Sequence, residues 1–136
     1  MRIFLDANIL FSAAKSNGAV RDLLHRLQQA GHELYADAYV VAEARRNLSQ
    51  KDSEALEALD ALLGRLEVAS FQTGDLLPEV ARLLPEKDRP VLTAAIRLGC
   101  AALVTGDRTD FGALYGKSIA GVVIYSPRML AEALLL

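Results

Sequence analysis

Five carboxylate side chains lie along the 136-residue chain at positions where a folded protein could use them for chemistry. They are Asp6, Glu43, Asp88, Asp107 and Asp110. Two carboxylates about 5 Å apart repel each other by roughly 3 kcal/mol at an effective dielectric constant of about 20. A cluster of acids must therefore hold protons or a metal ion. If the fold brings these five together, the sequence predicts a cation or proton site.

The remaining candidate ligands favour a particular class of metal. His25 and His32 fall in or after an early helical stretch, away from the acids, and Cys100 precedes an apolar run and is typical of a small core residue. Without imidazole or thiolate the ligand set is all oxygen, which favours Mg²⁺ or Mn²⁺ over Zn²⁺. Such an ion binds phosphate oxygens, lowers the pKa of a bound water and offsets charge in the transition state.

Each acid also has a purely structural interpretation. Asp6 could cap a following helix, as could Asn8. Asp88 could cap a helix, and Asp107 and Asp110 could stabilise a turn. For any one residue the structural interpretation is the simpler one, whereas the occurrence of all the acids together favours a functional site.

Glu43 lies at the margin of an apolar stripe within a predicted helix, formed by Val40, Val41 and Ala44. A carboxylate buried there without a partner would be costly. One interpretation pairs Glu43 with Arg46 or Asn47 at helical spacing. The other directs Glu43 across the edge of a sheet toward Asp6.

Short apolar runs separated by helical stretches must position these acids. Strands are predicted over residues 2–5, 33–36, 68–71, 101–105 and 121–125. In the first half of the chain, helices are predicted from near Ala19 to Gln29, over 38–48 after Asp37, and over 51–67 with Asp52 as cap. In the second half, they are predicted over a short segment ending near Leu84, over 88–98 capped by Asp88 and ended by Gly99, and from Ser126-Pro127 to Leu136. This alternation predicts an α/β protein with a mainly parallel sheet and helices on both faces.

The acids fall where such a sheet would bind a ligand. Asp6 follows the first predicted strand, and Asp107 follows the fourth. In an open parallel sheet, ligands bind beyond the carboxyl ends of the strands. The sequence therefore places these two carboxylates at the binding edge, with Asp88 at the start of a helix close by.

Composition excludes several classes of protein. With 52% hydrophobic and 24% charged residues the chain is expected to be globular, with residues 1–136 in a single domain. No apolar run reaches the roughly 18 residues of a membrane span, and the N-terminus does not resemble a signal peptide. A single cysteine excludes an internal disulfide and, with these features, predicts a cytoplasmic protein. The net charge of −2 requires a local basic patch or a bound metal if the ligand is a polyanion.

Three segments together resemble the PIN domain: FLDANIL, AEARRNL and DRPVLTAAIRLGCAALVTGDRTDF. PIN domains are metal-dependent ribonucleases, and many small members are toxins of toxin–antitoxin pairs of the VapC type. The most specific piece is the strand followed by VTGD and a second acid before Phe111. The resemblance implies a PIN-like three-layer α/β/α sandwich with a mainly parallel five-stranded sheet.

The resemblance also assigns site residues. The four acids of the family match Asp6, Glu43, Asp88 and Asp107, and Asp110 matches an additional acid found in many members. Asn8 and Thr105 match polar positions that support the first and fourth acids. Arginines next to the acids in sequence are the candidate phosphate contacts: Arg46, Arg89 and Arg108, with Arg45 turned away from Glu43 by helical geometry.

The implied activity is hydrolysis of RNA phosphodiester bonds by a Mg²⁺- or Mn²⁺-dependent endoribonuclease, the toxin of a type II toxin–antitoxin pair. Asp6, Asp88 and Asp107 would coordinate one or two ions, and Glu43 would bind a second ion or orient the attacking water. The implied partners are RNA, an antitoxin protein and a second copy of the chain, with no membrane.

Two alternatives compete with this interpretation. A non-catalytic PIN-like domain would bind RNA or protein, but the complete set of acids argues against it. A phosphatase of the haloacid dehalogenase type needs an Asp at the position of Asn8 and a downstream lysine that is not evident.

Overall fold

A six-stranded sheet with helices packed on both faces forms the core of the protein. The structure, a computed structural model, describes residues 1–72, 74 and 77–135. The strands are β1 (Arg2–Leu5), β2 (Glu33–Asp37), β3 (Glu67–Ala69), β4 (Ala102–Val104), β5 (Ser118–Ile119) and β6 (Val122–Tyr125). Their order is β3-β2-β1-β4-β6-β5, and neighbouring strands are parallel except for β5 and β6. The predicted mainly parallel sheet is therefore confirmed.

Eight helices connect the strands within the described residues. They are α1 (Ala7–Lys15), α2 (Ala19–Gln29), α3 (Ala38–Lys51), α4 (Leu56–Leu63), α5 (Pro78–Leu83), α6 (Arg89–Arg97), α7 (Arg108–Phe111) and α8 (Pro127–Leu134). The chain moves from β1 outward to β2 and β3 and then returns to β4 on the other side of β1. Because parallel crossovers are right-handed, this reversal places α5 and α6 on the face opposite α1–α4. The result is the expected three-layer sandwich.

The sheet has one strand more than the five expected. The additional strand, β5, contains only Ser118 and Ile119 and pairs antiparallel with β6. Ala120 and Gly121 connect the two strands with positive φ angles of 50° and 87°, as in the short turns of β-hairpins. A strand of this length carries no alternating apolar pattern, which is why the sequence did not reveal it.

The helix predicted from near Ala19 to Gln29 is confirmed as α2, but a separate helix that was not predicted, α1, precedes it at Ala7–Lys15. The missed helix, α1, buries one broad face that contains Ala7, Ile9, Leu10, Ala13 and Ala14. These positions recur at three- and four-residue spacing, so the helical signal is present in the sequence. The consequence for the site is large, because α1 starts directly after Asp6.

The helix predicted over 51–67 is wrong at both ends. Helix α3 continues to Lys51, a 3₁₀ turn covers Ser53–Ala55, and α4 begins at Leu56. Asp52 does not cap a helix with its side chain; its non-helical backbone separates α3 from the turn. Other boundaries shift by one to three residues, and the predicted end of the last helix at Leu136 lies outside the described residues.

The centre of the core is formed by the two adjacent strands β1 and β4. Ile3, Phe4 and Leu5 are fully buried, as are Leu103 and Val104, as expected for parallel strands covered on both faces. Cys100 is buried beside them, in agreement with its predicted core role. Among the described residues, no helix has both the length and the apolar character needed to span a membrane.

Candidate functional site

The candidate site lies where the order of the strands reverses, beyond the carboxyl ends of β1 and β4. The chain leaves β1 toward β2 and returns at β4, with Leu5 beside Val104. Such a reversal opens a crevice in which α/β proteins bind ligands. Asp6 follows β1 and Asp107 lies just beyond β4, so both carboxyl groups stand at this crevice.

A buried hydroxyl group joins the two strand ends. Thr105 Oγ1 donates a hydrogen bond of 2.7 Å to Asp6 Oδ2 and accepts one of 3.1 Å from the backbone N–H of Asp107. The other oxygen of Asp6 accepts a bond of 2.7 Å from the backbone N–H of Ala7 and caps α1. Asp6 therefore caps a helix and also faces the crevice, so its structural and functional interpretations do not exclude each other.

Asn8 connects the same two loops from the first turn of α1. Its Nδ2 lies 3.2 Å from Asp6 Oδ2 and 3.3 Å from Thr105 Oγ1, and its Oδ1 accepts a bond of 2.8 Å from the N–H of Gly106. A Cβ atom at position 106 would lie 3.3 Å from that oxygen, a close approach that favours glycine. The structure thus places Asn8 and Thr105 as positioning residues for Asp6 and for the loop that carries Asp107.

Three further carboxyl groups converge beside this network. One oxygen from each of Asp88, Asp107 and Asp110 lies within 4.8 Å of the others. Asp88 is only 8% exposed, and its Oδ2 has no hydrogen-bond partner among the residues that the structure describes. Asp107 Oδ1 accepts a bond of 3.1 Å from the N–H of Asp110, and Lys87 Nζ lies 3.4 Å from Asp110 Oδ2.

Burial and crowding shift the pKa values of these carboxyl groups. Burial, together with the neighbouring carboxyl of Asp110, raises the pKa of Asp88 to about 7. A hydrogen bond with Asp88 lowers the pKa of Asp110, with Lys87 contributing in the same direction. The opposite directions of the two shifts favour a proton on Asp88 over one on Asp110. Burial also raises the pKa of Asp6, to which the charge of Glu43 adds.

A groove with a volume of about 210 Å³ contains most of these groups. Its lining residues are Asp6, Ala7, Asn8, Phe11, Glu43, Asn47, Lys51, Lys87, Asp88 and Asp107. Glu43, Asn47 and Lys51 follow each other at intervals of four on α3, so this helix presents one continuous polar face to the groove. Glu43 lines the same groove as Asp6 and its charge acts on that carboxyl, and among the described residues it forms no ion pair with Arg46.

The three candidate arginines are not among the described residues that line the groove. Arg89 Nε donates a bond of 2.9 Å to the carbonyl of Leu84, which ties the end of α5 to the start of α6. Arg46 and Arg108 are exposed, and neither belongs to the described lining of the groove. The cations that the described lining does contain, Lys51 and Lys87, were not predicted as site residues. The sequence signal was available, since Lys51 is eight residues from Glu43 and Lys87 adjoins Asp88.

The donor set fits a hard divalent cation. The converging ligand atoms are all carboxylate oxygens, and Asp88 carries an oxygen, Oδ2, that is buried without a hydrogen-bond partner among the described residues. Oxygen ligands of this kind suit Mg²⁺ or Mn²⁺. Asp88, Asp107 and Asp110 form the closest set, whereas Asp6 and Glu43 contribute from the other walls of the groove.

Comparisons with known proteins agree with this geometry. The PIN domain family model matches residues 2–109. The structure of VapBC2 from Rickettsia felis bound to a DNA fragment from its promoter is similar, with a TM-score of 0.69 and 22% identity over 93% of this chain and 98% of that one. The DNA-bound VapBC of Salmonella typhimurium has a TM-score of 0.69 and 18% identity over 93% and 98% of the two chains.

A third similar structure is VapC20 of Mycobacterium tuberculosis, described as a toxin that cleaves the sarcin–ricin loop. It has a TM-score of 0.60 and 16% identity over 82% of this chain and 93% of that one. A sequence comparison with curated proteins gives no match. At these identities the solved structures establish a shared fold.

Proposed function

Because the chain belongs to the PIN domain family, we propose that it is a metal-dependent endoribonuclease that hydrolyses RNA phosphodiester bonds, and the toxin of a type II toxin–antitoxin pair. The observation that carries this proposal is the convergence of Asp88, Asp107 and Asp110 within 4.8 Å at the groove that Asp6 and Glu43 also line. Acids this close require a counter-cation or a shared proton. The similarity in fold to VapC20, described as a toxin that cleaves the sarcin–ricin loop, supports the choice of substrate class.

Within this proposal, Asp6, Asp88 and Asp107 hold one or two Mg²⁺ or Mn²⁺ ions, directly or through water, with Asp110 as an additional ligand. When bound, such an ion supplies charge stabilisation of the phosphoryl group and a water of lowered pKa. Glu43, on the opposite wall of the groove, binds a second ion or orients the attacking water. Thr105 and Asn8 hold Asp6 in place through the hydrogen bonds to its Oδ2.

The positive side chains of the groove explain how a protein of net charge −2 could accept a polyanion. Lys51 and Lys87 stand on two walls of the groove beside the acids. Together with a bound divalent ion they would attract phosphate groups locally, where net charge alone would not. Arg46, Arg89 and Arg108 remain candidates for contacts with RNA outside the groove.

The proposed partners are a cognate antitoxin protein and a second copy of the chain, with action in the cytoplasm. Similar structures from Rickettsia felis and Salmonella typhimurium are VapBC complexes, which supports a protein partner of this kind. Such a partner would inhibit the enzyme by covering the acidic groove.

The phosphatase alternative loses support from the contacts of Asn8. That mechanism needs a free acid at this position, whereas the amide of Asn8 is engaged with Asp6, Thr105 and Gly106. A non-catalytic binding domain, in turn, would not need the unpartnered Asp88 Oδ2 beside two further carboxyl groups.

The deciding experiment is cleavage of a mixed RNA pool by wild type and by Asp107→Asn, each with Mg²⁺, Mn²⁺ or EDTA. We expect metal-dependent cleavage by wild type alone. Equal cleavage by both proteins would reveal a contaminating nuclease. Absence of cleavage by wild type, after mass spectrometry has excluded a co-purified inhibitor, would overturn the proposal.

A further inference from the structure

Two lysine ammonium groups lie close to one aromatic ring at the groove. Lys15 Nζ lies 5.4 Å from the centroid of the Phe11 ring, and Lys51 Nζ lies 5.6 Å from the same centroid. Lys15 is one helical turn from Phe11 and ends α1, whereas Lys51 ends the neighbouring helix α3. Two separate helices therefore deliver their last side chains to one ring.

This arrangement is not explained by packing alone. Phe11 packs partly against the core, but the rest of the ring lines the acidic groove. Among the described residues, neither Lys15 nor Lys51 forms an ion pair with a carboxylate. Neither ammonium group is therefore neutralised by a direct ion pair, so both can pair with the phosphates of an anionic ligand. An aromatic face between two cations matches the chemistry of a nucleotide, which has a flat base and flanking phosphates.

We propose that Phe11, Lys15 and Lys51 form a subsite for one nucleotide of a single-stranded RNA, next to the phosphodiester that is cleaved. When RNA binds, the two flexible lysine side chains leave the ring for the phosphates on either side of the nucleotide, and the part of the Phe11 ring that lines the groove stacks on the base. The proposal rests on the proposed ribonuclease function and extends it by defining one end of the path of the RNA.

The position of the ring fits this path. Phe11 is five residues from Asp6, about 7–8 Å along the axis of α1, and both line the same groove. A strand bound at the acids therefore continues toward the ring. Because every base has an aromatic face, stacking of this kind tolerates any base sequence, and phosphate contacts by lysine position the strand without reading it.

The first test has two measurements. Binding of a fluorescently labelled single-stranded RNA is measured in Mg²⁺ in the Asp107→Asn background, so that the RNA is not cut. KM for cleavage is measured in the otherwise wild-type protein. Phe11→Leu is expected to weaken binding and raise KM by about 5- to 100-fold. Phe11→Tyr, which keeps an aromatic face, is expected to recover most of that loss. Thermal unfolding of each variant confirms that it is folded.

The lysines are tested through the salt dependence of binding. Lys15→Gln and Lys51→Gln are each expected to reduce the slope of log affinity against log salt concentration by about 0.7, the contribution of one phosphate contact on a single strand. Lys117→Gln, which removes an exposed lysine outside the groove, is the charge-matched control and should leave the slope unchanged.

RNAs that carry one abasic nucleotide at successive positions distinguish stacking on Phe11 from a purely structural role of this residue. Binding of each RNA is measured. One position should weaken binding when Phe11 is present and have no effect in Phe11→Leu. A structural role would instead weaken every RNA equally. If Phe11→Leu does not fold, the abasic scan with the native Phe11 still decides, because the absence of any sensitive position overturns the subsite.

The outcomes separate this proposal from the function on which it rests. If wild type cleaves RNA with metal but the variants of Phe11 and the two lysines bind RNA like wild type, the subsite is overturned and the nuclease stands. If wild type neither binds nor cleaves RNA, both proposals fail.

Discussion

Two aspartates in this protein occupy the same position between a strand and a helix but lie at different cavities. Asp6 follows β1 and Asp37 ends β2; each caps the helix that begins with the next residue. They are 4% and 3% exposed, and burial raises the pKa of each carboxyl. Asp6 lies at the acidic groove, whereas Asp37 lies at a second, larger cavity of about 290 Å³.

The difference arises from the topology of the sheet. β1 lies between β2 and β4, at the reversal in strand order, so the end of β4 adds Asp107 beside Asp6. β2 lies between β1 and β3, where the strand order does not reverse. The described walls of its cavity are largely apolar, with Phe71, Pro90, Ala94 and Leu98 among them. An acid after a strand is therefore a local signal, and its position in the sheet decides whether it joins a site.

The first prediction concerns cleavage and has the largest expected effect. Asp6→Asn should reduce RNA cleavage by at least about 100-fold, roughly 2.7 kcal/mol of transition-state stabilisation, because it removes a carboxylate from the groove. Asp37→Asn should leave the rate within about threefold, since asparagine caps helices as well as aspartate does. Initial rates on one RNA measure both. Equal losses in the two variants would place a functional group in the larger cavity.

The second prediction concerns metal binding. Mn²⁺ or Mg²⁺ at about 100 times its dissociation constant should stabilise the wild type by about 2.7 kcal/mol, seen as a higher Tm than in EDTA. Asp37→Asn should keep this shift, because its carboxyl lies outside the groove. Asp88→Asn should lose most of it. A full metal-dependent shift in Asp88→Asn would exclude the carboxylate cluster as the metal site.

The third prediction concerns pH in EDTA. The pKa of Asp88 is 3.8 without the fold and about 7 in the folded protein, so the folded state binds the extra proton between these values. The free energy of unfolding should therefore fall as pH rises from about 4 to about 7, by at most about 1.4 kcal/mol per pH unit for this group. Urea unfolding at a series of pH values measures it.

Asp37 serves as the internal reference for the pH dependence due to Asp88. Burial raises the pKa of Asp37 as well, so its contribution has the same sign. Saturating metal should remove the part of the pH dependence that arises in the groove and leave the part due to Asp37. Asp88→Asn should flatten the curve in EDTA. A curve that metal does not change would contradict the assignment of the proton to the acidic cluster.

Much of the fold could be predicted from the sequence because its strands are short, apolar and separated by helices. The ends of parallel strands meet at one edge, so Asp6 and Asp107 could be placed there without coordinates. The two-residue strand β5 carries no periodic pattern, and the proximity of Asp110 to Asp88 depends on how α7 packs against the 3₁₀ turn formed by Glu86–Asp88.

One wrong helix boundary also concealed part of the site. The predicted boundary started a new helix at Lys51, which separated this lysine from Glu43. In the structure α3 continues through Lys51, so Glu43, Asn47 and Lys51 share one face. The predicted phosphate contacts were therefore limited to arginines next to the acids in sequence, and Lys51 was not among them.

The last prediction has the smallest expected effect and compares two buried threonines, one at each region. Thr105 Oγ1 bonds Asp6 Oδ2 and the N–H of Asp107, whereas Thr93 Oγ1, at the larger cavity, has no hydrogen-bond partner within the described part of the chain. Thr105→Val should cost about 1–2 kcal/mol, because two buried polar groups lose their partner. Thr93→Val should be neutral or stabilising by up to about 1 kcal/mol, because it removes an unsatisfied hydroxyl of the same shape. Urea unfolding in EDTA measures both. A destabilised Thr93→Val would mean that this hydroxyl has a partner in solution, such as an ordered water or a polar ligand in the larger cavity. The two cavities would then differ less in polarity than the structure indicates.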